Sequence, residues 1–197
     1  MGKYRNNIIE RVIEDAANNF SKTLDKIYPA YGDNAFNERN ISLQFSHAFL
    51  KRPNSYAIME VPSWNENNKR HDLRIDAYLF DSGVGIFLET KRLNNLPQAK
   101  GVCNDLRKMN PGDLNYVIKE LHINKPPKNI FALIIDETWV ESVYNWWNGE
   151  DCKGTAWDNL EFPKKKMCYG NRHIKTWNDG GSKYSVTWLY GYRQIKL

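Results

Sequence analysis

Asp76, Glu89 and Lys91 are the residues of this chain whose types and spacing bear most directly on chemistry. Asp76 lies in the alternating segment Leu73 to Phe80, and Glu89 and Lys91 lie in Gly85 to Lys91, with Asp81-Ser82-Gly83-Val84 between them. Both segments read as strands joined by a turn. If Asp81 to Val84 form the loop and Phe80 faces Gly85, the antiparallel register sets Asp76 opposite Glu89. Directly opposed residues have Cβ atoms about 5 Å apart, so two carboxylates there repel unless a cation lies between them. Alternation along the strand puts Lys91 on the face of Glu89 and turns Leu88 and Thr90 the other way. A hard divalent ion held by these oxygens can stabilise charge on a phosphodiester under attack and lower the pKa of a water, which Lys91 orients or helps to deprotonate. The plainer reading is a solvated hairpin face whose Glu–Lys pair contributes only about 0.5 kcal/mol. Tyr78, Phe80 and Phe87, which share the acidic face, argue that this face is partly covered.

Asp76, twelve intervening residues and then Glu89-Thr90-Lys91 resemble the bipartite motif of the PD-(D/E)XK nuclease superfamily, which includes restriction endonucleases, junction resolvases and repair nucleases. The resemblance covers about residues 38 to 135. It implies an αβββαβ core with the motif on the second and third strands. It implies Asp76, Glu89 and the Thr90 carbonyl as ligands of Mg²⁺, with Mn²⁺ able to substitute, and Lys91 as the water-positioning group. Glu38, on the helix before the first strand, matches the further acid that many members carry, and Gln98 the glutamine that some place on the following helix. Ile75 stands where the family's name has proline, a position at which many members also depart. An acid in a first helical turn, such as Glu38, is favoured by the macrodipole whatever its function.

These residues need a scaffold. Ile8, Ile9, Val12, Ile13, Ala16, Phe20, Leu24 and Ile27 recur at helical spacing from Arg5 and predict one long helix ending before Pro29. A second helix is expected from Glu38 through Phe49, then strands at Tyr56 to Val61, Leu73 to Phe80 and Gly85 to Lys91. Helices follow at Gln98 to Met109 and Leu114 to Leu121, a doubly buried strand at Asn129 to Ile135, and a helix at Trp139 to Trp147. Beyond Gly149 the chain reads as loop-rich, with one clear strand, Tyr184 to Gln194. The expected fold is α/β: a mixed sheet with flanking helices, a restriction-endonuclease-like core preceded by an added helix and followed by a basic, aromatic segment over 151–197 packed on it. At 197 residues the chain fits one domain.

The net charge of +5 is unevenly placed: residues 1 to 150 carry 19 basic and 19 acidic side chains, and residues 151 to 197 carry 9 and 4. Lys164, Lys165, Lys166, Arg172 and Lys175, interleaved with aromatics such as Trp177, are the expected nucleic-acid contacts, the cations meeting phosphates and the rings stacking on unpaired bases. Packing at a sheet edge is the competing account of the same rings. The four histidines form no HxH or HExxH pair, and the three cysteines no CxxC, so any metal is expected to be oxygen-bound and a reducing cytoplasm fits. The apolar runs fall short of a membrane span, and the N-terminal pattern is amphipathic and acidic where a secretory signal is basic and then apolar.

The expected activity is thus Mg²⁺-dependent hydrolysis of phosphodiester bonds, in DNA, by an endonuclease. A dimer suits cleavage of both strands. Two alternatives stand beside it: a catalytically silent nuclease-fold module that binds nucleic acid or protein, and a cleavage subunit that needs a partner for recognition.

Overall fold

The computed structural model describes residues 7–26, 38–65, 68–150, 152, 155–158, 160, 167–179 and 181–196. Five helices and six strands lie among them: α1 (Asn7–Lys26), α2 (Glu38–Leu50), β1 (Tyr56–Asn65), β2 (Asn68–Phe80), β3 (Val84–Arg92), α3 (Leu96–Lys108), α4 (Pro111–Glu120), β4 (Asn129–Thr138), α5 (Glu141–Asn148), β5 (Cys168–Asp179) and β6 (Ser182–Ile195). The strands form one sheet in the order β1-β2-β3-β4-β6-β5. Only β3 and β4 are parallel; every other neighbouring pair is antiparallel. The β3–β4 connection is long enough for two helices, as a parallel crossover requires.

Each face of the sheet is covered. α1 buries Ile9, Ile13, Ala16 and Phe20, and α2 buries Ile41, Phe45 and Phe49, against Ala77, Leu79, Ile86, Leu88, Leu133 and Trp188. On the opposite face, α3, α4 and α5 bring Val102, Leu106, Val117 and Trp147 against Tyr78, Phe87, Ala132, Ile134 and Leu189. Two-sided cover explains why β3 and β4 read as nearly continuous apolar runs.

The C-terminal segment departs from expectation. In place of an irregular extension with one strand, Cys168–Asp179 and Ser182–Ile195 pair as β5 and β6 and complete the sheet. β6 pairs with β4 from Ile130 opposite Ile195 to Thr138 opposite Thr187, and Trp188 is fully buried. β5 escapes a pattern search because it is the edge strand, with polar residues on its outer face. One extra residue at Ile174, between the pairs His173–Thr187 and Lys175–Val186, re-aims its side chains.

The β2–β3 turn sets the register of the motif. Asp81 Oδ1 accepts the backbone N–H groups of Gly83 at 2.7 Å and Val84 at 2.9 Å, while Asp81 Oδ2 accepts Arg52 Nε at 3.0 Å and a second guanidinium N–H. Burial pushes the Asp81 carboxyl up, but the Arg52 hydrogen bonds and charge and the two backbone donors outweigh it, leaving the pKa below its ordinary value. Such a group contributes stability that is present above the unfolded-state pKa and lost as pH falls through the folded one. Arg52→Ala should therefore cost about 2 kcal/mol at neutral pH, discounted because Arg52 is partly exposed. The melting temperature should fall by roughly 6 °C at pH 7 and much less at pH 3. An equal loss at both pH values in thermal unfolding would contradict this account of the turn.

Candidate active site

The β2–β3 ladder runs from Phe80 opposite Gly85 to Ala77 opposite Leu88. Every pair fits the register read from the turn, and the next pair in it is Asp76 and Glu89. There the ladder stops, because β2 kinks. Ile75 and Ala77, which a regular strand would hold on one face, belong to core clusters on opposite sides of the sheet. The bend is shared by β1, where Glu60 between Met59 and Val61 has φ 54°. A left-handed non-glycine residue inside a strand is strained, and such strain concentrates at functional sites.

The kink frees the carboxylate of Asp76 to take the place of a ladder acceptor. Its Oδ2 accepts the Thr90 backbone N–H at 2.7 Å and the Thr90 hydroxyl at 2.7 Å. Thr90 Oγ1 lies 2.8 Å from Ser42 Oγ and 3.2 Å from the Glu38 carbonyl oxygen, so the first turn of α2 sits over this bond. Glu38 itself is exposed at the start of α2.

Lys91 is held from the other side. Its Nζ lies 2.6 Å from Asp105 Oδ2 on α3. Lys91 also pairs in the parallel ladder with Asp136 of β4, as Glu89 does with Ile134. Burial works to lower the Lys91 pKa, but the hydrogen bond and charge of Asp105, with the charges of Glu89 and Glu38, prevail and hold it above the ordinary lysine value. Asp136 is 1% exposed, and its Oδ2 has no hydrogen-bond partner among the described residues. Burial raises its pKa well above the usual carboxylate value; the Lys91 charge opposes this, and the Asp105 and Glu38 charges add to it. α3 is fixed in place by Arg193 of β6, whose guanidinium donates to the carbonyls of Leu106 at 2.8 Å and Met109 at 3.0 Å.

Of the expected site residues, Asp76, Glu89, Lys91, Thr90 and Glu38 come together at one end of the sheet. Two of them have partners that the sequence did not show. Asp76, expected opposite Glu89 with the Lys91 ammonium beside the pair, bonds Thr90 beneath α2, while Lys91 is drawn to Asp105 of α3. Gln98 serves its own helix start: its Oε1 accepts the Asn94 N–H at 2.7 Å, and its N–H donates to the cap residue Asn95. The helix presents Asp105 to Lys91, two turns further on.

Asp105 and Asp136 went unseen in sequence reasoning. Asp136 is the first charge after the apolar run of β4, a signal that gains meaning only once β4 is known to lie parallel to β3.

The expected nucleic-acid contacts fare differently. Lys164, Lys165 and Lys166 lie outside the described residues. Arg172 faces Glu14 of α1 at 3.9 Å, and Lys175 pairs with Asp25 of α1. Trp177 stacks on Trp139 with centroids 5.2 Å apart and planes 8° from parallel. The bulge at Ile174 turns Lys175 toward α1, so Arg172 and Lys175 neutralise that helix and Trp177 packs.

Among the described residues no three side chains of His, Cys, Asp or Glu converge as a metal cage. The donor chemistry nevertheless suits a hard cation: Asp76 and Glu89 are carboxylates that each follow the last pair of the β2–β3 ladder, and Asp76 Oδ1 accepts no hydrogen bond among the described residues. Mg²⁺ is commonly held by one or two carboxylates with substrate phosphate and water completing its shell. Compared with protein-family models, curated proteins and solved structures, the chain matches none.

Proposed function

We propose that this protein is a metal-dependent phosphodiester hydrolase acting on DNA, with a restriction-endonuclease-like core formed by α2, β1, β2, β3, α3 and β4. The observation that supports the reading is the meeting of these groups around the end of β3: the Asp76 carboxylate accepts the Thr90 N–H and hydroxyl, between Glu89 and Lys91, and Lys91 Nζ is held by Asp105. In this reading Asp76, Glu89 and the Thr90 carbonyl hold a Mg²⁺ ion, whose chemistry is to stabilise phosphate charge and acidify a bound water. Thr90 and Ser42 orient the Asp76 carboxylate. Asp105 holds the Lys91 ammonium protonated at the end of β3, where it orients the attacking water and meets charge developing on the phosphate. In the same reading Glu38, exposed in the first turn of α2, acts on the water. No covalent intermediate is required.

A second reading draws on one specific observation. Asp76 is bonded to Thr90 and Lys91 to Asp105, as in a site held shut, which suits a nuclease-fold module that binds nucleic acid without cutting it. Cleavage of supercoiled plasmid, linear duplex and single-stranded DNA in Mg²⁺, Mn²⁺ or EDTA separates the two. Metal-dependent product in any arm supports the hydrolase; binding without product and without metal uptake supports the silent module.

A further inference from the structure

A groove of about 520 Å³ opens beside the acidic cluster, at the C-terminal end of β4. It lies on the sheet face that carries α3 and α5. Along β4, Asp136 and the groove residue Thr138 occupy successive positions of that face, about 7 Å apart by strand rise. The floor comes from the β5–β6 hairpin. The bulge at Ile174 sends Ile174 and Lys175 toward α1 and leaves His173 and Thr176 together on the groove face. Thr176 Oγ1 is 3.2 Å from His173 Nε2, and Ser185 Oγ is 3.3 Å from His173 Nδ1. These bonds fix the imidazole and hydroxyls as a polar platform continued by Asn171 and Thr187.

One wall is aromatic: Tyr144 of α5 lines the groove. Trp139 borders it too, but its ring stacks on Trp177 in the core on the α1 face. The exposed Lys183 stands at the rim without an ion-pair partner among the described residues. An aromatic wall, a hydrogen-bonding floor and one cation at the mouth fit a flat polar heterocycle carrying an anionic link, and the volume is of ligand size.

We propose that this groove binds one unpaired nucleobase of a single-stranded nucleic-acid segment, with Tyr144 stacking on the ring, the His173–Ser185–Thr187 floor meeting its polar edge, and Lys183 meeting an adjoining phosphate. The base is unpaired because a base within a duplex has its faces covered by its neighbours. The nearness of Asp136 makes the groove a subsite flanking the cleaved bond; that placement rests on the hydrolase reading, whereas binding itself does not.

The test is fluorescence anisotropy of a fluorescein-labelled oligothymidylate titrated with the full chain in EDTA, at several salt concentrations. Tyr144→Ala and Ser185→Leu should each weaken binding about fivefold or more, the range expected for loss of one stacked base. Lys183→Glu, at an exposed position that cannot disturb the core, should weaken it and reduce the slope of log affinity against log salt by about 0.7. Unchanged affinity in all three groove variants, or a parent chain that binds blunt duplex but not the oligothymidylate, overturns the proposal. Groove-dependent binding by a chain that cuts nothing in Mg²⁺ upholds the groove and removes the hydrolase; normal cutting with groove-independent binding does the reverse.

Discussion

Lys91→Ala should reduce metal-dependent cleavage by about 10²- to 10³-fold, the range expected when one positioned donor to charge developing in the transition state is lost. Asp76→Ala should do so at least as severely, with weaker Mg²⁺ uptake by calorimetry. The two variants should differ in stability. Asp76 is half-buried and its partner Thr90 keeps Ser42 and the Glu38 carbonyl nearby. Lys91→Ala instead leaves Asp105, whose side chain is only 13% exposed, as a largely buried charge without the Lys91 ammonium, a loss of about 3 kcal/mol. The double variant Lys91→Ala with Asp105→Asn removes that buried charge. It should recover most of the lost melting temperature and none of the cleavage. If cleavage returned together with stability, Lys91 would act only as a structural cation and the proposed chemistry would fail.

Asp136→Asn should make the protein more stable, and increasingly so as pH rises. The folded-state pKa of Asp136 lies well above its ordinary value, chiefly through burial. The unfolded chain therefore releases its proton first, and stability is lost as pH rises from about 4, the usual aspartate value, toward the folded pKa. Asparagine keeps the shape and carries no proton to lose. At pH 4 the variant and parent should melt within a degree or so. At pH 8 or 9 the variant should gain about 2 kcal/mol, roughly 6 °C for a chain of this size. Thermal unfolding across that pH range decides it: a variant less stable at pH 8 would mean that the Asp136 carboxylate is ionised and usefully paired with Lys91. Cleavage should change far less than in Lys91→Ala, because Asp105 holds the ammonium directly.

What could be read from the chain, and what could not, follows from the range of the interactions involved. The β2–β3 register was legible because a short turn sets it locally, and Asp81 supplies the turn bonds within three residues. α1, α2 and the buried strand β4 were legible because an amphipathic or wholly apolar pattern reports which faces are covered. Asp105 and Asp136 were not, because their meeting at Lys91 depends on a parallel crossover through two helices, whose register no local pattern encodes. The Asp76–Thr90 bond was hidden for a related reason: it needs β2 to kink opposite a strained Glu60, where alternation fails. The ion pairs of Arg172 and Lys175 were not legible because charge counts do not show pairing. Arg172 and Lys175 answer acids on α1 more than a hundred residues away in sequence, whereas Lys183, unremarkable in sequence, lines the groove.

The sheet order has a consequence for how the protein comes to exist. β4 lies in the middle of the sheet, yet its second neighbour is β6, so Ile130 waits for Ile195 and Asp136 for Leu189. During synthesis the N-terminal elements emerge first, and β1 through β4 can assemble while one side of β4 still offers an open row of amides and an apolar surface. Until β6 arrives, Arg193 cannot fasten the end of α3, the helix that carries Asp105. A ribosome-bound chain halted short of β6 is therefore both sticky and chemically incomplete. Completion of the Lys91 cluster waits for β6, which follows every other strand of this sheet in chain order.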